Sequence, residues 1–504
     1  MVTRLVQLGV ICAAGFAQAS GFYLGDNGAK ASMLGGAFTA QADDVTAMQY
    51  NPAGLARMPG LSLLVDSNVL RHTVTFSRQD PGFDPANPST LINTVSNRPD
   101  PFLLPFFGAS YGFKLFNRTA TVGLGLFAPP SQGRYEYPQP NYTLNENGGF
   151  VENPRRYAPQ RYALIRNDII IAYPTLSLAY EITPWLQVGV SAQLTLSNFA
   201  QTQTMFGGDA IGQNPMTQLT EDPRYDATVA IDLQGLVGFT GILGVMVRPT
   251  DWLSFGASVR PPIPFKGRGK MTVDLPKFFQ DAGASVVGKD GGSCSTEAQR
   301  TQTNCTAELT MTLPLEVRVG ARAVIIDGLG VNLDYVYQGW NSVDQLLLTP
   351  DNVGLVNGGN TTLIAPVGVR KDWIGTHSVR LGASYRIFKY LSANVGANFE
   401  TGAAKTATYS VDWTHPTRVI VAGGLTGHLG PVELMAGGLF TPTTTTVVTD
   451  SQVVRGQTSS EPTPGAVGNG IYTSGAWGLI FGIRAHFGED APVVRGAVGP
   501  SAKN

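Results

Sequence analysis

The sequence predicts an all-β fold: a transmembrane antiparallel β-barrel of about 14 strands with a small N-terminal helical hatch inside. Three observations carry that expectation. Only 14% of the 504 residues are charged, while glycine reaches 60 residues; soluble proteins carry about 25% charge. Apolar and polar residues alternate in segments of about ten residues or more, the length a tilted membrane strand needs. The connections between those segments are alternately very short and very long, the pattern of periplasmic turns and outer loops in bacterial barrels.

Residues 1–19 read as an export signal. Arg4 supplies the positive charge, Leu5 to Phe16 form an apolar core too short to span a bilayer, and Ala17-Gln18-Ala19 fits a small-residue cleavage pattern. Ser20 is then the expected mature N-terminus. No later run of about 18 apolar residues exists, so no membrane helix is expected. Residues 20–60 lack strand alternation. Within them, "ADDVTAMQYNPAGLARMPG" (Ala42 to Gly60) reads as a helical turn: Asp43 and Asp44 favour its start, and Pro52 biases Asn51 toward extended backbone and ends it.

Residues 61–487 carry the strands, which begin near 61, 103, 119, 169, 185, 227, 252, 307, 329, 373, 390, 417, 432 and 475. In "LQVGVSAQLTLS", Leu186, Val188, Val190, Ala192, Leu194 and Leu196 share one face, and Gln187, Gly189, Ser191, Gln193, Thr195 and Ser197 share the other. "VRLGASYRI" and "LSANVGANFE" alternate in the same way. Trp185 and Trp252 follow short turns, and Trp340, Trp373 and Trp477 sit at the opposite ends, so two interfacial aromatic girdles are expected. The last strand, "WGLIFGIRAHF", pairs with the first and removes edges that lipid cannot satisfy. A barrel this wide exceeds what its own side chains fill, about eight strands being the packed limit. The lumen is therefore water-filled or plugged, and residues 20–60 are the expected plug. Residues 488–504 form an expected periplasmic tail.

Cys12 lies in the signal. Cys294 and Cys305, within "GGSCSTEAQRTQTNC", are expected to form a local disulfide in an exported chain; the alternative is a pair of free thiols. Two cysteines with no histidine nearby are too few for a metal. The five histidines are scattered and no phosphate-cradling loop is present, so no catalytic residue, metal or cofactor is expected. A net charge of −1 argues against nucleic acid as partner.

The residues resemble the FadL family of outer-membrane transporters for long-chain fatty acids and other hydrophobic compounds. "SGFYLGDNGAKASMLGGAFTAQADDVTAMQYNPAGL" is similar to that family's N-terminal hatch, with its Asn-Pro-Ala motif at Asn51, Pro52 and Ala53. "TVGLGLFAPPS", "AYEITPWLQVGVS", "TLPLEVRVGARA", "DYVYQGWNSVDQL" and "WIGTHSVRLGASYRI" resemble its barrel strands. The resemblance implies a fourteen-stranded barrel in the outer membrane of a Gram-negative bacterium. Its partners are then a hydrophobic small molecule, outer-membrane lipid and the outer-membrane assembly machinery, and a monomer is expected. It also implies a deep ligand pocket lined by Gly21, Phe22 and Leu24. Asn51-Pro52-Ala53 should meet an inward kink in the third strand that opens a lateral gap. There Gly123 and Gly125 lack side chains, and Pro129 and Pro130 cannot donate ladder hydrogen bonds. Fatty acid is the family default as ligand, with monoaromatic hydrocarbons as the alternative; a general porin or an adhesin are the competing non-enzyme readings. Among lumen-facing arginines, Arg318 and Arg380 are candidates for binding a carboxylate headgroup, the alternative being ion pairing with Glu316 and Glu400.

Overall fold

A computed structural model describes residues 27–79, 91–128, 134–138, 158–207, 225–300, 304–343, 345–414, 416–455, 457–458 and 465–488. Fourteen strands form the wall. They are β1 (Gly60–Gln79), β2 (Phe102–Leu115), β3 (Arg118–Phe127), β4 (Arg166–Thr183), β5 (Leu186–Phe206) and β6 (Asp226–Val247). Four more are each broken once: β7 (Leu253–Arg260 and Ile263–Asp274), β8 (Thr306–Leu313 and Glu316–Ile326), β9 (Leu329–Gln338 and Gln345–Pro350) and β10 (Val367–Arg370 and Thr376–Phe388). The last are β11 (Leu391–Glu400), β12 (Arg418–Leu429), β13 (Val432–Val448) and β14 (Gly470–Phe487).

Each strand pairs antiparallel with its sequence neighbours. The ring closes between β1 and β14, from Leu61↔Phe487 to Arg78↔Gly470. Closure of the ring leaves neither the first nor the last strand with an open edge. The short turns mark the periplasmic end. Outward apolar side chains form the lipid-facing band: Leu63 and Val65 on β1, Phe239 and Leu243 on β6, Leu479 and Phe481 on β14 are all exposed.

The four breaks lie opposite one another. Pro261-Pro262 interrupts β7 and Pro314 interrupts β8, because proline has no N–H for the ladder. The 3-10 turn Trp340–Ser342 interrupts β9, and residues 371–375 interrupt β10. Pairings Glu316↔Arg260, Glu316↔Gln338 and Gln338↔Thr376 set the four interruptions on one line across the wall. The strand halves outward of that line form a separate upper panel.

A bulge divides β6 similarly. Ser197↔Leu236 is followed by Phe199↔Leu233, so Gln234 and Gly235 together oppose Asn198 and β6 carries one extra residue. Gly235 takes φ +67°, and its N–H donates to Asn198 Oδ1 at 3.0 Å. The extra residue reverses which side of β6 faces inward. Below it Gly244 and Met246 point in; above it Leu233, Ile231 and Val229 do.

The tryptophans correct one expectation. Trp185 and Trp252 are about half exposed beside the short turns, and Trp477 faces outward. Trp340 and Trp373 are buried instead and join no girdle. They stack edge-on at 5.4 Å, and Trp373 meets Trp413 at 5.8 Å. Both sit in the interruptions of β9 and β10, where the chain leaves the wall and turns inward. Outside the ring, Ser285–Val287, Gly354–Asn357 and Asn360–Leu363 form a small three-stranded sheet. Cys294 and Cys305 are disulfide-bonded, with Cα atoms 5.5 Å apart, in the loop that leaves this sheet. The export signal and residues 489–504 of the tail lie outside the described residues.

Candidate functional site

The lumen has two storeys. The lower one is filled by the hatch, whose described part comprises α1 (Ala29–Met33), α2 (Ala47–Tyr50) and the 3-10 turn Pro52–Arg57. These pieces are too short to be stable alone. Their backbone is instead satisfied by inward polar side chains of the wall. The N–H of Ala29 donates to Asp66 Oδ2 at 3.0 Å, and those of Phe38 and Thr39 donate to Asp334 Oδ2 at 2.9 and 2.7 Å. Ser191 and Ser258 hydroxyls donate to the carbonyls of Met48 and Tyr50 at 2.8 and 2.6 Å. Burial, with the Asp43 charge adding to it, holds the hatch carboxyl of Asp44 above its ordinary range.

Between the polar contacts the wall offers glycines. A Cβ on Gly396 would lie 2.0 Å from the carbonyl carbon of Leu34 and 2.2 Å from the nitrogen of Gly35. On Gly189 it would meet the carbonyl carbon of Pro52 at 2.3 Å, and on Gly256 the oxygen of Thr39 at 2.3 Å. Gly123, Gly244, Gly382, Gly424, Gly437 and Gly482 meet hatch atoms in the same way. Glycine at these inward positions lets the hatch backbone approach the wall directly. The signal for this socket is in the sequence, as a glycine in the inward phase of strand after strand ("QVGVS", "SFGAS", "RLGAS", "NVGAN"), although alternation alone did not single it out.

The hatch corner is seated elsewhere than expected. Asn51 takes extended backbone (φ −162°) and accepts from the N–H of Ala53. Its side-chain amide donates to the carbonyls of Thr39 at 2.9 Å and Val245 at 3.0 Å. Asn51, Pro52 and Ala53 thus lie against Gly189 of β5 and Gly244 of β6, with Asn51 also reaching Gly256 of β7. Met48 and Leu55 are the hatch residues that meet Gly123 of β3, with Met48 also beside Gly125. The wall at those two glycines is closed: Ser110↔Gly123↔Ser177 and Gly108↔Gly125↔Thr175 belong to unbroken ladders. Small side chains there make room for Met48 rather than a hole. Both ladders of β3 stop at Phe127. Pairing to β4 resumes at Arg134↔Asp168, so residues 169–172 have no ladder partner on that edge among the described residues. Pro129 and Pro130 fall between, outside the described residues, as do Gly21, Phe22 and Leu24.

The arginines also serve the hatch. Arg318 Nε donates to Glu316 Oε1 at 2.9 Å, and its guanidinium lies 4.8 Å over the Tyr50 ring. Glu316 further accepts from Gln338 at 2.8 Å and pairs with Arg260 at 3.5 Å, forming a buried knot on the line of strand breaks. Arg380 donates to Ser378 Oγ at 2.9 Å and to the carbonyl of Gly36 at 3.4 Å. Glu400 pairs with Arg418 at 3.4 Å. Neither Arg318 nor Arg380 lines the cavity described next.

Above the hatch is a cavity of about 330 Å³. Its wall comes from the upper parts of β5 and β6 (Phe199, Met205, Val229, Ile231), the upper panel (Met271, Leu309, Leu348, Val369) and the roof (Val286, Leu355, Ile364). The polar side chains on it are Gln201, Gln203 and Asp412. Asp412 is not a free charge: Lys371 Nζ lies 2.5 Å from its Oδ2, and Ser410 donates to its Oδ1. Sequence reading missed this cavity. Its lining is drawn from loops and from strand ends above the lipid band, where alternation no longer reports on membrane.

Comparison with known proteins agrees with this architecture. A family profile described as outer membrane protein transport protein (OMPP1/FadL/TodX) matches residues 10–429. The fold is similar to that of a Pseudomonas aeruginosa FadL homologue, with TM-score 0.69 and 14% identity over 93% of this chain and 100% of that one. It is also similar to the P. putida toluene transporter TodX, with TM-score 0.61 and 13% identity over 93% and 100%. A third likeness is the CymD monoaromatic hydrocarbon channel, with TM-score 0.55 and 15% identity over 92% and 98%. No curated protein matches.

Proposed function

The chain belongs to the outer membrane protein transport family (OMPP1/FadL/TodX), and from that premise we infer that it takes up neutral, hydrocarbon-like compounds through the cavity above its hatch. The observation that carries this reading is the cavity itself. Burial of apolar surface drives such a ligand in, at about 25 cal/mol per Å². The one carboxylate on the wall is already neutralised by Lys371. A carboxylate ligand would enter a site with no unspent cation among the described residues, and an unpaired buried charge costs several kcal/mol. The buried Arg260–Glu316–Arg318 knot joins the upper panel to Tyr50 of the hatch. It gives ligand occupancy above a route to the hatch below. An apolar ligand released sideways need not enter periplasmic water, and the unpaired edge of β4 at residues 169–172 is the place in the described wall that suits such an exit.

The second reading, a long-chain fatty acid, rests on Lys371, the cation paired with Asp412 of the cavity wall, which a carboxylate could take over. The test is binding of toluene, dodecane and laurate to delipidated protein, with Leu348→Trp to fill the cavity. Toluene and dodecane affinity should fall at least about tenfold in the variant, equivalent to about 1.4 kcal/mol. Unchanged affinity would remove the cavity as the binding site. Laurate binding far above dodecane would favour the fatty acid reading.

A further inference from the structure

Beneath the hatch, at the periplasmic end of the lumen, three arginines stand in one region. Arg57 is the last residue of the 3-10 turn of the hatch, and its Nη1 reaches Met246 Sδ at 3.9 Å. Arg248 follows two residues later on the inward phase of Met246. The register continues the row sideways: Val247 faces Phe255, the neighbouring Ser254 faces Arg322, and Arg322 faces Asn332. Ser254 and Asn332 are buried, and Asn332 donates to Gln41 of the hatch at 2.8 Å, so the row lies against the hatch. The Arg322 guanidinium lies over Gly330, where a Cβ would come within 2.7 Å of its Nη2.

These charges lack a matching carboxylate. None of the three is in an ion pair among the described residues. The acidic groups near them are Asp43 and Asp251. Asp43 is spent on Lys30, which contacts both of its oxygens at 2.9 Å, and on Gln41 at 3.1 Å. Asp251 stands exposed on the periplasmic turn. Burial, with like charge from Arg248 and Arg322, pushes the Arg57 guanidinium down to about 9 against the opposing pull of Asp43. Like charges gathered in a partly buried place repel strongly unless a counter-charge joins them.

We propose that Arg57, Arg248 and Arg322 form a binding site for a small oxyanion, of which inorganic phosphate is the fitting chemistry. Guanidinium forks bind two oxygens each, and a tetrahedral oxyanion has enough oxygens to serve three forks. Because the row faces the lumen, the ion enters from the periplasmic end as a free solute. Bound there, it staples the end of the hatch to β6 and β8. With the site empty, the same three charges push the hatch away from the wall.

The experiment is equilibrium dialysis of radiolabelled phosphate against the detergent-solubilised full-length protein at low ionic strength. One saturable site is expected, with affinity at least tenfold weaker in Arg57→Gln and Arg322→Gln and unchanged in Arg71→Gln on the outer face. Heat-modifiable electrophoretic mobility reports whether each variant is folded. In the unaltered protein, phosphate should shield Arg57 and Arg322, but not Arg71, from phenylglyoxal. No saturable binding, equal affinity in all variants, or no shielding overturns the proposal. Competition by octanoate separates the source of the anion. Displacement no better than by acetate supports a free ion. Displacement at much lower octanoate concentration means that the arginines hold the head of an apolar ligand, and overturns it.

Discussion

The lower and upper storeys of the lumen are built by the same strands on opposite rules. Along β5, Ser191 and Gln193 face inward and hydrogen-bond the hatch, while Phe199 and Met205 further up line the cavity. Along β6, Gly244 yields space to Asn51, while Val229 and Ile231 offer apolar surface. A single strand thus changes from socket to binding surface, and in β6 a bulge performs the change. Inward polarity in this barrel reports contact with a peptide hatch, whose backbone needs hydrogen bonds, and inward apolarity reports space left for something else.

The largest way to break this division is to close the socket. Gly396→Val would drive a side chain into the Leu34–Gly35 peptide, where only backbone is available to move. Overpacking of this kind costs about 1–3 kcal/mol or more. The hatch should be displaced while the ring persists, so that a barrier to ions becomes a pore in planar-bilayer conductance. A closed channel in this variant would mean that the hatch is held by the polar contacts alone. A smaller change tests those contacts. Asn51→Ala removes the side-chain donor to the carbonyls of Thr39 and Val245, and the buried Thr39 carbonyl alone is worth about 1–3 kcal/mol if left unsatisfied. Amides across residues 38–56 should exchange at least about tenfold faster, equivalent to about 1.4 kcal/mol, with strand amides unaffected. Exchange that quickens equally in hatch and strands would deny the hatch its separate stability. The smallest effect on ligand sharpens the boundary between storeys. Arg318→Gln should loosen the hatch and alter the affinity for laurate and for dodecane by less than about twofold. A headgroup role would instead cost laurate alone about 1.5–3 kcal/mol.

Much of the ring was legible because its rule is local. Strand starts at 61, 103, 119 and 432 lie within one residue of those observed, since a lipid face and a lumen face force alternation with period two. Burial of Trp340 and Trp373 was not legible. A tryptophan at a strand end reads as an interfacial anchor, and only the line of breaks across β7 to β10 turns these two inward. The seat of Asn51 was not legible either. Its partners Thr39 and Val245 are separated from it by 12 and 194 residues, and nothing in a turn motif names the carbonyls it will meet. The glycine socket lay between these cases, present in the pattern but readable only once the hatch was known to press on it. The disulfide was legible from two cysteines in one short loop.

The place of the hatch in the chain has a consequence for how the molecule is made. Its residues precede β1, yet they touch β14 through Ala29 and Gly482 as well as β1, β5, β9 and β11. Its seat is therefore incomplete until the first and last strands have met along Leu61↔Phe487, a contact between residues about 400 apart in sequence. Contacts that distant carry a large loop-closure cost and form late. The segment ahead of the first strand thus waits on the last strand. Until the seam shuts, the carboxylates of Asp66 and Asp334 have only water to bind, and the nascent ring is an open sheet with a wet concave face. The hatch therefore cannot be fully seated before the ring has closed.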